Sequence, residues 1–155
     1  MSPVDSIPLF TFGHGLSYTS FEYSAFALST TEIATDGKFE ASVTVKNVGN
    51  RAGSEVVQLY FTDPVAQVAR PIIQLLGFEK IHLAAGESKK VTFHVHSDRL
   101  AYHGADVIRI VDPGVMKIHV GASSTDLKDT KLLTITGSIR EVTAQRKLIT
   151  EVTVA

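Results

Sequence analysis

No cysteine and no tryptophan occur in the 155 residues. Without cysteine there is no disulfide framework, no thiolate nucleophile and no cysteine-held metal, while the redox compartment and the localisation stay unassigned. Asparagine is confined to Asn47 and Asn50, and neither opens an N-x-[ST] sequon, which excludes N-glycosylation. Apolar runs of 18 residues are lacking, and the opening "MSPVDSIPLF" has neither a basic n-region nor an apolar h-region, so neither a membrane span nor a signal peptide is expected. An excess of one charge is lacking too: 15 Lys and Arg stand against 16 Asp and Glu, a net charge of -1. Phosphate backbones and anionic lipids attract basic surfaces, so neither nucleic acid nor membrane is expected as a partner.

What remains is ordinary material for one soluble core, 44% hydrophobic and 20% charged. Its pattern is period two. In "KFEASVTVKNVG", Phe39, Ala41, Val43 and Val45 take one face and Glu40, Ser42, Thr44 and Lys46 the other, as in a strand with one buried side. The same reading places Val91, Phe93 and Val95 inward against Thr92, His94 and His96, and Met116, Ile118 and Val120 inward against Lys117 and His119. "EVVQLYF", "IIQLLGFEKIHL" and "DVIRIV" are more evenly apolar, which suits strands covered on both faces, and "KLLTITGSI" closes the set. "NVGNRAG", "TDP", "AAGES", "VDPG" and "GASSTD" supply turn residues between these runs. One helical turn is expected at "SDRLAY", capped by Ser97 or Asp98. The sum is an all-β sandwich of about seven or eight strands.

The segment "PLFTFGHGLSYTSFEYS" opens the ordered pattern. A dinucleotide fingerprint would need a third glycine after Gly13 and Gly15, and a P-loop would need GK[ST]; both are missing. Together with "NVGNRAGSEVVQLYFTDP", "RPIIQLLGFEKIHLAAGESKKVTFHV" and "VDPGVMKIHVGASSTD", the segment resembles the C-terminal fibronectin type III-like domain of family 3 glycoside hydrolases, the β-glucosidases and β-xylosidases, from about Leu9 to Asp126. The family more often has proline where Thr11 stands and an aromatic residue where His14 stands. The resemblance implies an all-β, immunoglobulin- or fibronectin type III-like β-sandwich and a division into a connector (1–20) from an upstream catalytic region, that sandwich (21–139) and a C-terminal extension (140–155), whose "REVTAQRKLITEVTVA" has weak strand character of its own. It also implies a parent that releases terminal β-D-glucosyl or β-D-xylosyl residues, with the nucleophilic Asp and the acid/base Glu both upstream of the region matched here.

Catalytic, cofactor-binding and metal residues are therefore expected to number none. Asp63, Asp98, Asp112 and Asp126 all lie in turns, where backbone hydrogen bonding explains an aspartate. His94 and His96 share a strand face but lack a third and fourth ligand, and His14, His82 and His103 have no partner spacing. Sugar binding is the rival reading, a free-standing carbohydrate- or polymer-binding module. Such a module displays exposed rings, and only Tyr60 and Tyr102 are candidates, since Phe39, Phe61 and Phe93 point inward. The favoured partners are the catalytic domains of the parent, with polysaccharide as a further option. Their contact candidates are Phe12, Gly13, His14, Gly15, Leu16, Tyr18 and Phe21 in the connector and Ile72, Leu75 and Phe78 in the apolar run, where Ile73 and Leu76 add more surface than one inward face consumes.

Overall fold

A computed structural model describes residues 8–155. The first seven residues of the expected connector lie outside the described residues. In chain order the strands are β1 (Phe21–Leu28), β2 (Glu32–Ala34), β3 (Lys38–Asn47), β4 (Gly53–Thr62), β5 (Gln74–Leu83), β6 (Ser88–His96), β7 (Tyr102–His103), β8 (Arg109–Val111), β9 (Gly114–Gly121), β10 (Leu127–Thr136), β11 (Arg140–Glu141) and β12 (Glu151–Val154). Among them β1, β3, β4, β5, β6, β9 and β10 have eight or more residues and are the seven that build the sandwich.

One sheet has the order β1-β3-β6-β12 and the other β2-β10-β9-β4-β5; β11, β8 and β7 form a small third sheet. All pairings are antiparallel except β2 beside β10. The register of β3 on β6 sets Phe39 opposite Val95, Ala41 opposite Phe93 and Val43 opposite Val91. Six inward side chains thus form one continuous patch, because every second residue faces the same way. Val57, Leu59 and Phe61 of β4, Met116, Ile118 and Val120 of β9, and Leu133 and Ile135 of β10 meet that patch from the other sheet, and all are buried. The alternation read from the sequence is the alternation of the core.

Four expectations are corrected. "DVIRIV" is not a covered strand: Val107 and Ile108 are exposed, Val107 has φ 61°, and only Arg109–Val111 pairs. In "IIQLLGFEKIHL" the strand begins at Gln74, leaving Ile72 89% exposed in a bend. The turn at Ser97–Leu100 is 3-10, and its cap is His96, whose ring Nδ1 accepts the Asp98 N–H at 3.1 Å. His119 sits on the polar side of β9 yet is buried, bonded at Nδ1 to the Thr130 hydroxyl (2.8 Å) and at Nε2 to that of Thr62 (3.0 Å). Burial, with Lys117 nearby, lowers its pKa and keeps the ring neutral.

The last sixteen residues contribute a strand to one sheet of the sandwich and another to the small third sheet. β12 pairs with β6 from Glu151 opposite His94 to Val154 opposite Val91, and β11 pairs with β8. Between them Asp98 accepts the Lys147 N–H at 2.9 Å and Arg140 Nη2 at 2.5 Å. Burial pushes the Asp98 carboxyl upward, but these donors and His96 outweigh it, and its pKa lies below the usual carboxylate range.

Phe93 is fully buried at the centre of the inner face of β6. Phe93→Ala is expected to cost about 3 to 5 kcal/mol in urea unfolding, the sum of lost transfer energy and the cavity left behind. A loss below about 1 kcal/mol, the scale of an ordinary surface change, would place the ring outside the core.

A candidate domain-contact groove

The centre of β4 is buried on both faces. Val57, Leu59 and Phe61 point into the core, and the outward Gln58 and Tyr60 are buried as well. Their cover is the opening segment. Gln58 Nε2 donates to the Gly13 carbonyl at 3.1 Å and to that of Ala122, while its Oε1 accepts the Tyr60 hydroxyl. Gly13 has φ 80°, and a Cβ there would lie 2.0 Å from Gln58 Oε1, so both the backbone conformation and the close approach require glycine. Ser124 donates its N–H to the Phe12 carbonyl at 2.9 Å, and the hydroxyls of Thr11 and Thr125 lie 3.0 Å apart. The segment is therefore docked on its own sandwich through its backbone.

Its large apolar side chains are not. Leu16 is 92% and Tyr18 96% exposed, and Phe10 and Phe12 are also open to solvent. Between this segment and the sheet runs a groove of about 540 Å³. Phe12, Gly13, His14, Gly15, Leu16 and Phe21 line it from the segment, and Leu75 and Phe78 from β5. Two stretches more than fifty residues apart in sequence thus meet at one place. Ile72 and Tyr18 are not part of the lining.

The other wall carries a polar pair missed by sequence reasoning. Tyr23 donates its hydroxyl to Glu55 Oε1 at 2.7 Å across the open end of the two sheets, and the Lys128 ammonium lies 6.0 Å from the tyrosine ring. Burial, then the neighbouring carboxylate, raises the pKa of Tyr23 far above that of a free phenol. Burial also raises that of Glu55, against the Tyr23 hydrogen bond and Lys128, which pull it down. Gln58 had a visible signal, the lone amide in the apolar run "EVVQLYF"; Glu55 and Tyr23 read as ordinary polar-face residues of their strands.

The two rings offered for sugar stacking are corrected. Tyr60 and Tyr102 are 1% and 8% exposed, and the Tyr102 hydroxyl donates to Asp112 Oδ2 at 2.7 Å, so neither offers an open ring face for a sugar to stack on. The aspartates are engaged by protein groups: Asp63 Oδ2 with Arg70 Nη1 at 2.6 Å, Asp98 as described, Asp126 with Lys128 Nζ at 2.7 Å. His94 pairs with Glu40 at 3.2 Å and with the Thr153 hydroxyl, whereas His96 caps the turn. Among the described residues no three His, Asp or Glu side chains are grouped to hold a metal ion, and no helix is long and apolar enough to cross a membrane.

Residues 55–124 match the family model described as a fibronectin type III-like domain. Over these residues the chain is a fibronectin type III-like domain. It is 45% identical over 123 residues to a putative β-xylosidase of Formosa agariphila, covering 79% of this chain and 16% of that protein. With thermostable β-glucosidase B of Acetivibrio thermocellus it shares 43% identity, covering 86% of this chain and 18% of the relative. Among solved structures, a β-glucosidase from Erythrobacter marinus superposes with a TM-score of 0.80 at 40% identity, over 88% of this chain and 18% of that one. The domain thus spans under a fifth of the length of the relatives it matches, which are β-glucosidases and β-xylosidases.

The raised pKa of Glu55 leads to an expected pH dependence of stability. A carboxyl whose pKa is raised by folding stabilises the fold in its protonated form below the ordinary glutamate range, and that contribution is lost as pH rises through the raised value. Glu55→Gln keeps the acceptor for Tyr23 without the charge. The melting temperature of this variant is expected to gain on the parent between pH 4 and pH 7, and a difference that stays constant over that range would contradict the burial of Glu55.

Proposed function

We propose that this domain is the non-catalytic C-terminal part of a family 3 β-glycosidase and that it packs on, and stabilises, the catalytic domains through the groove and the opening segment. The observation that carries the reading is the pairing of a backbone docked on the sandwich with side chains left bare: Leu16 and Phe78, 92% and 61% exposed, both line the groove. Monomeric surfaces seldom leave such rings and branched side chains clustered unless another surface covers them. Residues 8–20 then act as the connector. The pairing of β12 with β6 supports reading residues 140–155 together with the sandwich.

Glycoside hydrolysis needs two carboxyl groups roughly 5 to 9.5 Å apart across the scissile bond. Here Asp63, Asp98 and Asp112 are committed to Arg70, Arg140 and Tyr102, which supports an accessory role. The parent enzyme is taken to hydrolyse terminal β-D-glucosyl or β-D-xylosyl residues, since proteins named for both activities are similar to this chain. Polysaccharide is a weaker partner, because the buried Tyr60 and Tyr102 provide no stacking platform.

The test compares two contexts. Replacing Leu16 and Phe78 together by serine is expected to leave the melting temperature of this chain unchanged, as both side chains already meet water. In the complete enzyme the same change is expected to lower the inactivation temperature, with about 1.5 to 3 kcal/mol lost for each anchor fully buried at the contact. Equal effects in both contexts, or strong retention of the chain on insoluble cellulose or xylan, would reject the docking role. Chymotrypsin gives a second check: in the chain by itself the first cut is expected after Tyr18, which is 96% exposed, and in the complete enzyme that bond is expected to resist. Resistance in both would mean that the opening segment needs no partner.

A further inference from the structure

At the end of β4 away from the groove, five arginines gather around the Ser97–Leu100 turn and the small sheet: Arg70, Arg99, Arg109, Arg140 and Arg146. Two have counter-ions, Arg70 with Asp63 at 2.6 Å and Arg140 with Asp98 at 2.5 Å. The third carboxylate nearby, Asp112, is bonded to the Tyr102 hydroxyl at 2.7 Å. Arg99, Arg109 and Arg146 have no carboxylate within ion-pair distance among the described residues. Arg99 reaches only the carbonyls of Leu148 (2.7 Å) and Leu76 (3.1 Å), and Arg109 only that of Ala101 (3.1 Å). The Nε groups of all three are closed off from solvent and have no acceptor.

Buried or half-buried cations without counter-ions are costly. Burial pulls the Arg109 pKa down, and the guanidiniums of Arg146, Arg99 and Arg70 add to it against the weaker opposing effect of the Asp98 carboxylate, so these cations are near enough to repel one another. Beside Arg109 lies a pocket of about 260 Å³, lined by Arg70, Gln74, Tyr102, His103 and Arg109 and by the chain at Val68–Pro71. The Arg70 guanidinium is held over the Tyr102 ring, 4.3 Å from its centroid, so this wall is rigid. The volume is below the roughly 300 to 1,000 Å³ of drug-sized sites, which suits a small ligand. A planar guanidinium fork matches the oxygens of carboxylate and phosphate.

We propose that this pocket binds a small oxyanion, a carboxylate or a phosphate, with Arg109 as its principal contact and Arg99 and Arg146 supplying the uncompensated positive potential. The oxyanion is either free phosphate or a carboxylate side chain from an adjoining protein surface, and the two differ in whether phosphate or acetate binds.

Thermal unfolding of this chain at pH 7, in sodium phosphate or sodium acetate against sodium chloride of equal ionic strength, tests the site. A rise of several degrees that saturates with anion concentration is expected, unlike the unsaturating effect of an excluded salt. Saturation by phosphate alone assigns phosphate; saturation by acetate, alone or as well, assigns carboxylate recognition. Arg109→Gln is expected to melt no lower than the parent in chloride, because it removes an unpaired cation, and to lose the anion response. Arg146→Gln is expected to weaken the response, and calorimetric titration of the unaltered chain reads the same binding without any variant. No saturating rise with either anion, no heat of binding, or an undiminished response in Arg109→Gln would overturn the proposal.

Discussion

Phe93 has no exposed surface, and neither do Val91 beside it or Leu59, Ile118 and Leu133 across the sandwich. This apolar layer is the contact on which every other feature depends, because the strands on either side leave their outer faces to polar, docking or solvated residues only while the inner faces stay in register. Its edge is set by a glycine. A Cβ on Gly77 would lie 3.2 Å from Phe93 Cδ1 and 3.1 Å from Thr150 Cγ2, so the bare backbone of β5 is what admits both the core ring and the last part of the chain. Thr150 then donates its hydroxyl to the Leu76 carbonyl at 2.7 Å, and β12 follows along β6. The closing strand is a consequence of the core, not an appendage to it.

Three buried polar side chains fix what the apolar layer cannot. Asn47, with no exposed surface, donates to the carbonyls of Arg51 and Leu83 and accepts the Thr19 hydroxyl at 2.7 Å, tying the end of the opening segment to the turn after β3. Gln58 clamps Gly13, and Asp98 clamps Arg140 and Lys147. Each has all its principal groups satisfied, the condition under which a buried polar group gives direction without a large penalty. The chain's two terminal stretches are therefore held by hydrogen bonds of known direction, while the centre is held by non-directional packing.

The parts of this fold that alternate on a single wet face were open to reading from sequence: Phe39 to Val45, Val91 to Val95 and Met116 to Val120 are inward where period two puts them. What escaped was decided by contacts between distant segments. Tyr60 sits on the outer face of its strand and becomes buried only because Gln58 and Gly13, the latter 45 positions from Gln58, close over it. His119 is buried because two threonines from neighbouring strands bond both ring nitrogens. "EVTV" at 151–154 is too short for periodicity to signal, and its pairing is supplied by the free edge of β6. Conversely, Val107 and Ile108 are apolar but lie in a turn, where sequence hydrophobicity has no core to meet. Of the groove, the aromatic connector and the apolar run near Phe78 were each visible; their meeting was not, since nothing local encodes the β4–β5 pairing that brings Phe78 opposite Gln58.

That pairing also explains why the two candidate surfaces differ in kind. β4 runs from Gly53, beside the connector, to Thr62, beside the arginines, and its neighbours change along the way. At the first end Val56 and Phe78 are partly bare beside the polar wall of Tyr23, Glu55 and Lys128, so removal of apolar area from water contributes most to association there. At the second end Asp63 satisfies one arginine and leaves Arg99, Arg109 and Arg146 without a carboxylate, so association there depends on charge and weakens as salt screens it. A single strand thus separates a surface suited to a neighbouring domain from one suited to an anion. The salt dependence of each distinguishes them without a substitution in either.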